Sequence, residues 1–224
     1  MLGSNEIVIA EPRTAERRPA PRSPFLPSEP RAGRGGGVAG NARLTALTGA
    51  VLLVLLAVEG VTLISLRSLL SLHVFVGMLL VPVVALKVAS TGWRFLRYYA
   101  GSRAYVDAGP PAPLLRFLVA PVLLAATTGL FATGVALIAL GPRQSFLIGL
   151  HKASFVVWFG ATTIHVLAYV LRLPRLVGAD IGRRDRLPGA RLRQALLAAS
   201  VVGGATLAVW ALPYAHQWHS WMFG

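Results

Sequence analysis

Apolar residues in this chain gather into five runs, at about 44–66, 69–90, 115–140, 147–171 and 194–213, divided by stretches rich in arginine, glycine and proline. Each run approaches the roughly 20 residues that an α-helix needs to cross the hydrocarbon of a bilayer. The pattern predicts an all-α integral membrane protein with five transmembrane helices packed as a bundle. Before Leu44 the pattern stops: residues 1–43 hold seven arginines, six prolines and six glycines without helical periodicity. Such a segment buries too little apolar surface to order itself, so it reads as a disordered cytoplasmic tail. The first apolar run is long enough to span and is expected to stay in the mature protein. The resulting organisation is a tail (1–43), a five-helix domain (44–213) and a short outer tail (214–224).

Composition agrees with this class and narrows the chemistry. Of 224 residues, 55% are hydrophobic and 13% charged, and there is no cysteine. Without thiolates the chain forms no disulfide, ligates no iron–sulfur cluster through cysteine and attaches no haem covalently; a haem held by histidine is still open to it. The formal net charge of +14 reports orientation and anionic lipid before nucleic acid, which is not an expected partner. Arginines set that orientation. Seven lie in the tail, four from Arg94 to Arg116 and seven from Arg172 to Arg193, against Arg67 and Arg143 in the alternate loops. Positive charge stays on the cytoplasmic side, which places the N-terminus inside and the C-terminus outside the cytoplasmic membrane. The second and fourth helices then run in the same direction, from outside to inside.

The candidate chemistry lies on these two parallel helices. His151 and His165 stand fourteen residues apart in the fourth apolar run. Fourteen residues make nearly four helical turns and advance roughly 21 Å, so both imidazoles leave one face at opposite leaflets. Histidine inside a membrane marks a functional site by default, and neutral imidazole is a common axial ligand of haem iron. His73, near the outer end of the second helix, is the partner for His151, on opposite faces of one porphyrin. The same register carries His73 down to Lys87, opposite His165. A lysine amine binds iron when neutral, whereas a lysine near a helix end also snorkels to the headgroups; both readings stand for Lys87. The bundle is thus expected to bind one or two b-type haems through His73, His151, His165 and Lys87.

Other residues fit around that frame, each with a plainer use beside it. Gly77, Gly129 and Gly134 leave room for a porphyrin or for close helix packing. Trp158, between the two histidines, reads as packing. Lys152, Arg67 and Arg143 offer charge-assisted partners to haem propionates or are solvated interfacial charges. Glu59, the one carboxylate within a span, either accepts a proton from a quinol, orients a ligand histidine, or stays neutral and hydrogen-bonded to a neighbouring helix. His216, His219, Trp218 and Trp221 read as an anchor at the outer interface before they read as a metal site.

Four stretches carry a family resemblance: Leu72–Pro82 (LHVFVGMLLVP), Lys87–Tyr99 (KVASTGWRFLRYY), Gly109–Arg116 (GPPAPLLR) and Leu150–Trp158 (LHKASFVVW). Over roughly residues 44–172 the chain resembles small actinobacterial b-type cytochrome membrane proteins, and through them cytochrome b subunits and the ferric reductase-like transmembrane family. The resemblance implies bis-histidine haem at His73 and His151 and electron transfer across the membrane, often serving an extracytoplasmic molybdopterin oxidoreductase. Where that family carries a fourth histidine, this chain has Lys87.

The first functional expectation is therefore an electron-transfer subunit that passes electrons between quinol or another donor and an extracytoplasmic redox protein. No Gly-x-Gly-x-x-Gly fingerprint follows a strand, so a nicotinamide or flavin reaction is expected to belong to a partner. The alternative is a haem-free scaffold or a transporter, with His73, Lys87 and His165 lining a proton or ion path. A zinc protease is disfavoured because no His-Glu-x-x-His occurs.

Overall fold

The computed structural model describes residues 36–110, 113–170 and 188–223. The chain is all-α, and no strand occurs among the described residues. Helices α1 (Gly36–Ile64), α2 (Leu66–Tyr99), α4 (Ala120–Leu140), α5 (Ser145–Tyr169) and α6 (Ala190–Phe223) are joined by a short α3 (Arg103–Asp107), and a π-helical turn, Leu115–Val119, leads into α4. Five of these segments are long and apolar enough to cross a membrane. Large apolar side chains cover their outer faces, among them Val54, Phe146, Val156, Leu167 and Val202. A soluble protein rarely exposes contiguous apolar surface on that scale, and a lipid environment accounts for it.

The helices overrun the expected spans at both ends of the chain. α1 starts at Gly36, inside the stretch expected as tail, because tertiary contacts hold it: Asn41 Nδ2 donates to the Ser90 carbonyl at 2.9 Å and the Tyr105 hydroxyl to the Gly37 carbonyl at 3.4 Å. α6 continues through Pro213 to Phe223. A proline there removes one helical hydrogen bond, which a long helix tolerates at the cost of a kink. The expected tail over residues 1–35 and most of the arginine-rich loop before α6 lie outside the described residues, as do the side chains of His216 and His219.

α2 is the central helix. Leu70, Val74, Met78 and Leu79 pack on Ala208, Ala211 and Ala215 of α6, while Val76, Leu80 and Val83 pack with Leu52 of α1. A Cβ at Gly204 of α6 would overlap the backbone of Leu79, so only glycine permits this approach. α4 and α5 form a second packed pair, joined to the α1–α2–α6 group by lighter contacts of α4 with α2 and α6. α2 and α5 are not themselves a packed pair. Successive crossings alternate in direction, which makes α2 and α5 parallel. The end of the bundle that carries His73 and His151 is here termed upper, and the end with Lys87 and His165 lower.

Candidate functional site

At the upper end α1 and α2 meet across a tight turn at Ser65, where backbone donors of Ser68 and Leu69 return to the Ser65 carbonyl. This brings Glu59 and Thr62, one turn apart on α1, against His73 of α2. His73 Nδ1 lies 2.9 Å from Glu59 Oε1 and 3.1 Å from Thr62 Oγ1. Thr62 is fully buried, and its hydroxyl donates to the Glu59 carbonyl at 2.6 Å. With its proton committed there, the hydroxyl accepts from the ring, so His73 carries a proton on Nδ1.

His151 of α5 is held the same way by α4. Its Nδ1 lies 3.1 Å from the Leu130 carbonyl and 3.0 Å from Thr133 Oγ1, and that hydroxyl donates to the Gly129 carbonyl at 2.6 Å. A carbonyl only accepts, so His151 also carries a proton on Nδ1. Gly134 lets the ring sit there, since a Cβ at that position would stand 3.2 Å from His151 Cε1. His73 and His151 are close enough to interact electrostatically, although the helices that carry them are not packed together. Each of the two rings thus has its Nδ1–H donated to a neighbouring helix. A histidine that ligates a metal is normally oriented through its second nitrogen by a carboxylate or a backbone carbonyl, and here one ring has each.

At the lower end Lys87 and His165 are likewise within electrostatic range of one another. Lys87 does not extend to an interface. Its Nζ donates to the Thr45 carbonyl of α1 at 2.6 Å, beside a small polar cluster in which Thr45 Oγ1 meets Ser90 Oγ at 3.0 Å. The His165 ring lies against Tyr169, with centroids 4.9 Å apart, and has no hydrogen-bond partner among the described residues.

Three buried polar atoms lack a hydrogen-bond partner among the described residues: Glu59 Oε2, Arg116 Nε and Thr162 Oγ1. Glu59 belongs to the upper site. Thr162 lies three residues before His165, on the same helical face. Its neighbour Thr163 donates back to the Phe159 carbonyl at 2.8 Å, as an intrahelical threonine commonly does. Arg116 sits in the π-helical turn whose Leu115 and Val119 pack on Ala168 and Tyr169, at the level of His165. Buried polar atoms are expected to find partners, and these three flank the two candidate stations.

The remaining candidates take supporting places. Lys152, Arg67 and Arg143 are exposed at the upper end. Gly77 faces Glu59, and a Cβ there would stand 3.6 Å from Oε1, an ordinary contact distance. Trp158 packs along α5 against Phe155. Sequence reasoning missed Thr62, Thr133, the Leu130 carbonyl, Thr45, Thr162 and Arg116 as functional groups. A threonine in an apolar run has no distinguishing sequence pattern, and backbone carbonyls carry no sequence signal.

The donor set fits haem at the upper site: two imidazoles on parallel helices, each with Nδ1 engaged by a neighbouring helix. No cluster of three or more His, Cys, Asp or Glu suited to a metal ion occurs among the described residues. An axial pair needs only two. No family model, curated protein or solved structure matches the chain.

Proposed function

We propose that this protein is a b-type cytochrome of the cytoplasmic membrane, with haem held between His73 and His151, that transfers electrons between a donor such as quinol and an extracytoplasmic redox partner. The observation that carries this reading is the matched pair of imidazoles. Each ring has its Nδ1 engaged by groups of a neighbouring helix, which supports a reading in which both Nε2 atoms would serve one iron. Haem supplies one-electron chemistry when bound, alternating between ferric and ferrous iron. The chain's own residues do the rest. α1 and α4 orient the two ligands, the apolar faces of α2 and α5 keep water from the iron, and the positive residues Arg67, Arg143 and Lys152 stand at the upper surface for the propionates. The arginine asymmetry supports a cytoplasmic N-terminus and an upper end that faces outward. A proton path through His73 has less support, because both polar contacts of that ring are fixed hydrogen bonds to α1.

Absorption spectra of the purified full chain, oxidised and then reduced with dithionite, test the reading. Six-coordinate b-type haem bands that sharpen on reduction are expected. A well-folded, colourless preparation from haem-replete cells overturns it.

A further inference from the structure

We propose that the lower end of α2, where the chain turns into α3, binds the headgroup of an anionic phospholipid, with the lipid phosphate held by Arg97 and its neighbours Arg94 and Arg103. The proposal goes beyond the haem reading and does not depend on it.

Helix length sets the place. α2 begins at the upper turn and runs for 34 residues, about 51 Å of helix against roughly 30 Å of hydrocarbon. Its last turns therefore reach the headgroup layer, at the end of the bundle that the arginine asymmetry supports as cytoplasmic. The sequence changes character at that level. From Trp93 to Tyr105 it holds three arginines, five aromatic residues and no carboxylate. Tryptophan and tyrosine settle at the membrane boundary, and arginine is drawn to the anionic surface of the cytoplasmic leaflet.

Composition of this kind describes any interfacial belt. The fold adds a fixed guanidinium. Gly101, at φ +72°, turns the chain out of α2, a conformation that suits glycine. α3 is then pinned against the start of α1 through the buried Tyr105, whose hydroxyl donates to the Gly37 carbonyl. In this corner the Arg97 guanidinium carbon lies 5.7 Å from the centroid of the Trp93 ring and 6.0 Å from that of Tyr105, and Nη2 donates to Ser102 Oγ at 3.2 Å. Two aromatic rings and a hydroxyl thus hold the group and engage one of its N–H donors, while the residue stays exposed. A guanidinium held in this way loses little freedom when it binds, and its planar fork matches two phosphate oxygens.

Charge complementarity selects the occupant. Arg94 stands three residues before Arg97 on the same helix, and Arg103 opens α3 next to Ser102. None of the three arginines is paired with a carboxylate among the described residues; Asp107, the first carboxylate after them, is exposed and forms no such pair. The exposed Trp93 ring stands one turn nearer the bilayer centre and offers an apolar surface to the start of an acyl chain. A soluble phosphate would use the arginines and leave that surface empty, so the lipid is the ligand that fits both halves.

Trp93 is also the reporter. In a full-length variant carrying Trp158→Phe, Trp210→Phe, Trp218→Phe and Trp221→Phe, reconstituted in mixed bilayers of phosphatidylglycerol and phosphatidylcholine, brominated acyl chains on one lipid or the other quench Trp93 according to which lipid occupies the site. Phosphatidylglycerol should be favoured by about fivefold, the scale of one arginine at an anionic surface. Arg97→Gln should remove that preference, Arg97→Lys should remove most of it, and Arg67→Gln at the upper end should leave it unchanged. Native mass spectrometry of the parent, with all five tryptophans in place, reads the same site without the reporter substitutions: one phosphatidylglycerol retained per chain, lost in Arg97→Gln. Equal quenching by the two lipids, or a preference that survives Arg97→Gln, overturns the proposal. A preference undiminished in Arg97→Lys reports diffuse attraction by charge and overturns it as well. Displacement of the lipid by millimolar inorganic phosphate would make this a site for a free anion and overturn the lipid assignment.

Discussion

The two ends of the bundle use the same register of nitrogen donors and differ in how firmly those donors are held. Above, both rings are clamped from a neighbouring helix, His73 by Glu59 and Thr62, His151 by Leu130 and Thr133. Below, only Lys87 is clamped, by Thr45, while His165 rests on the face of Tyr169. A donor already fixed in its bound geometry loses little freedom when it meets a ligand, whereas an unclamped one must be ordered at that moment. A ligand bound above, as proposed, would therefore cost less ordering of its donors than one bound below.

The largest expected effect comes from removing an upper donor. His73→Ala and His151→Ala should each abolish upper-site haem to the same extent, because one iron needs both, while His216→Ala and His219→Ala leave haem content unchanged. Haem-to-protein ratios of the four variants decide it, and unequal loss from the first pair would break the pairing of α2 with α5.

Next in size is removal of a clamp. Glu59→Ala or Thr133→Val should weaken retention of the upper haem by about tenfold to a hundredfold, the usual scale for groups that orient a metal ligand. Haem transfer to an excess of a soluble scavenger measures this, and unchanged retention would mean that these residues hold the fold and not the ligand.

The smallest effect should come from Gly134→Ala. The added methyl stands 3.2 Å from His151 Cε1 and must push the ring by a few tenths of an ångström. Crowding of this kind costs about 1 kcal/mol. A shifted upper-haem spectrum with the stoichiometry retained is the expected outcome, and an identical spectrum would show that the ring has room to spare.

Much of the frame was legible in the sequence for physical reasons that can be named. A membrane span must be long and apolar, so five such runs in the chain reappear as five helices. Helical pitch is fixed, so His151, His165 and Lys87 could be placed by counting. The clamps were not legible. Thr62 and Thr133 look like any threonine that bonds back to its own helix, and which hydroxyl also meets a ring depends on helix rotation, which hydropathy does not encode. Gly36 and Gly37 close a glycine-rich run and read as part of the disordered tail, yet the contacts of Asn41 and Tyr105 draw the helix back over them. Arg116 looked like one more topogenic arginine. Its buried Nε follows from the π-helical turn before α4, for which the local sequence Gly109-Pro-Pro gave no warning.

The hydrogen bonds from α1 to α2 bear on how the chain enters a bilayer. α6, against which much of α2 packs, leaves the ribosome well after α2, so α2 must wait in lipid for its main apolar partner. Its leucine, valine and methionine face can wait without penalty, because lipid tails are as apolar as the helix that will cover it. Its histidine and its lysine cannot, since each would face hydrocarbon unpaired. Both are covered by the helix made immediately before, through Glu59 and Thr62 at one end and Thr45 at the other. The first hairpin therefore enters the membrane with its polar nitrogens already sheltered, and the order of synthesis matches the order in which the chain needs protection.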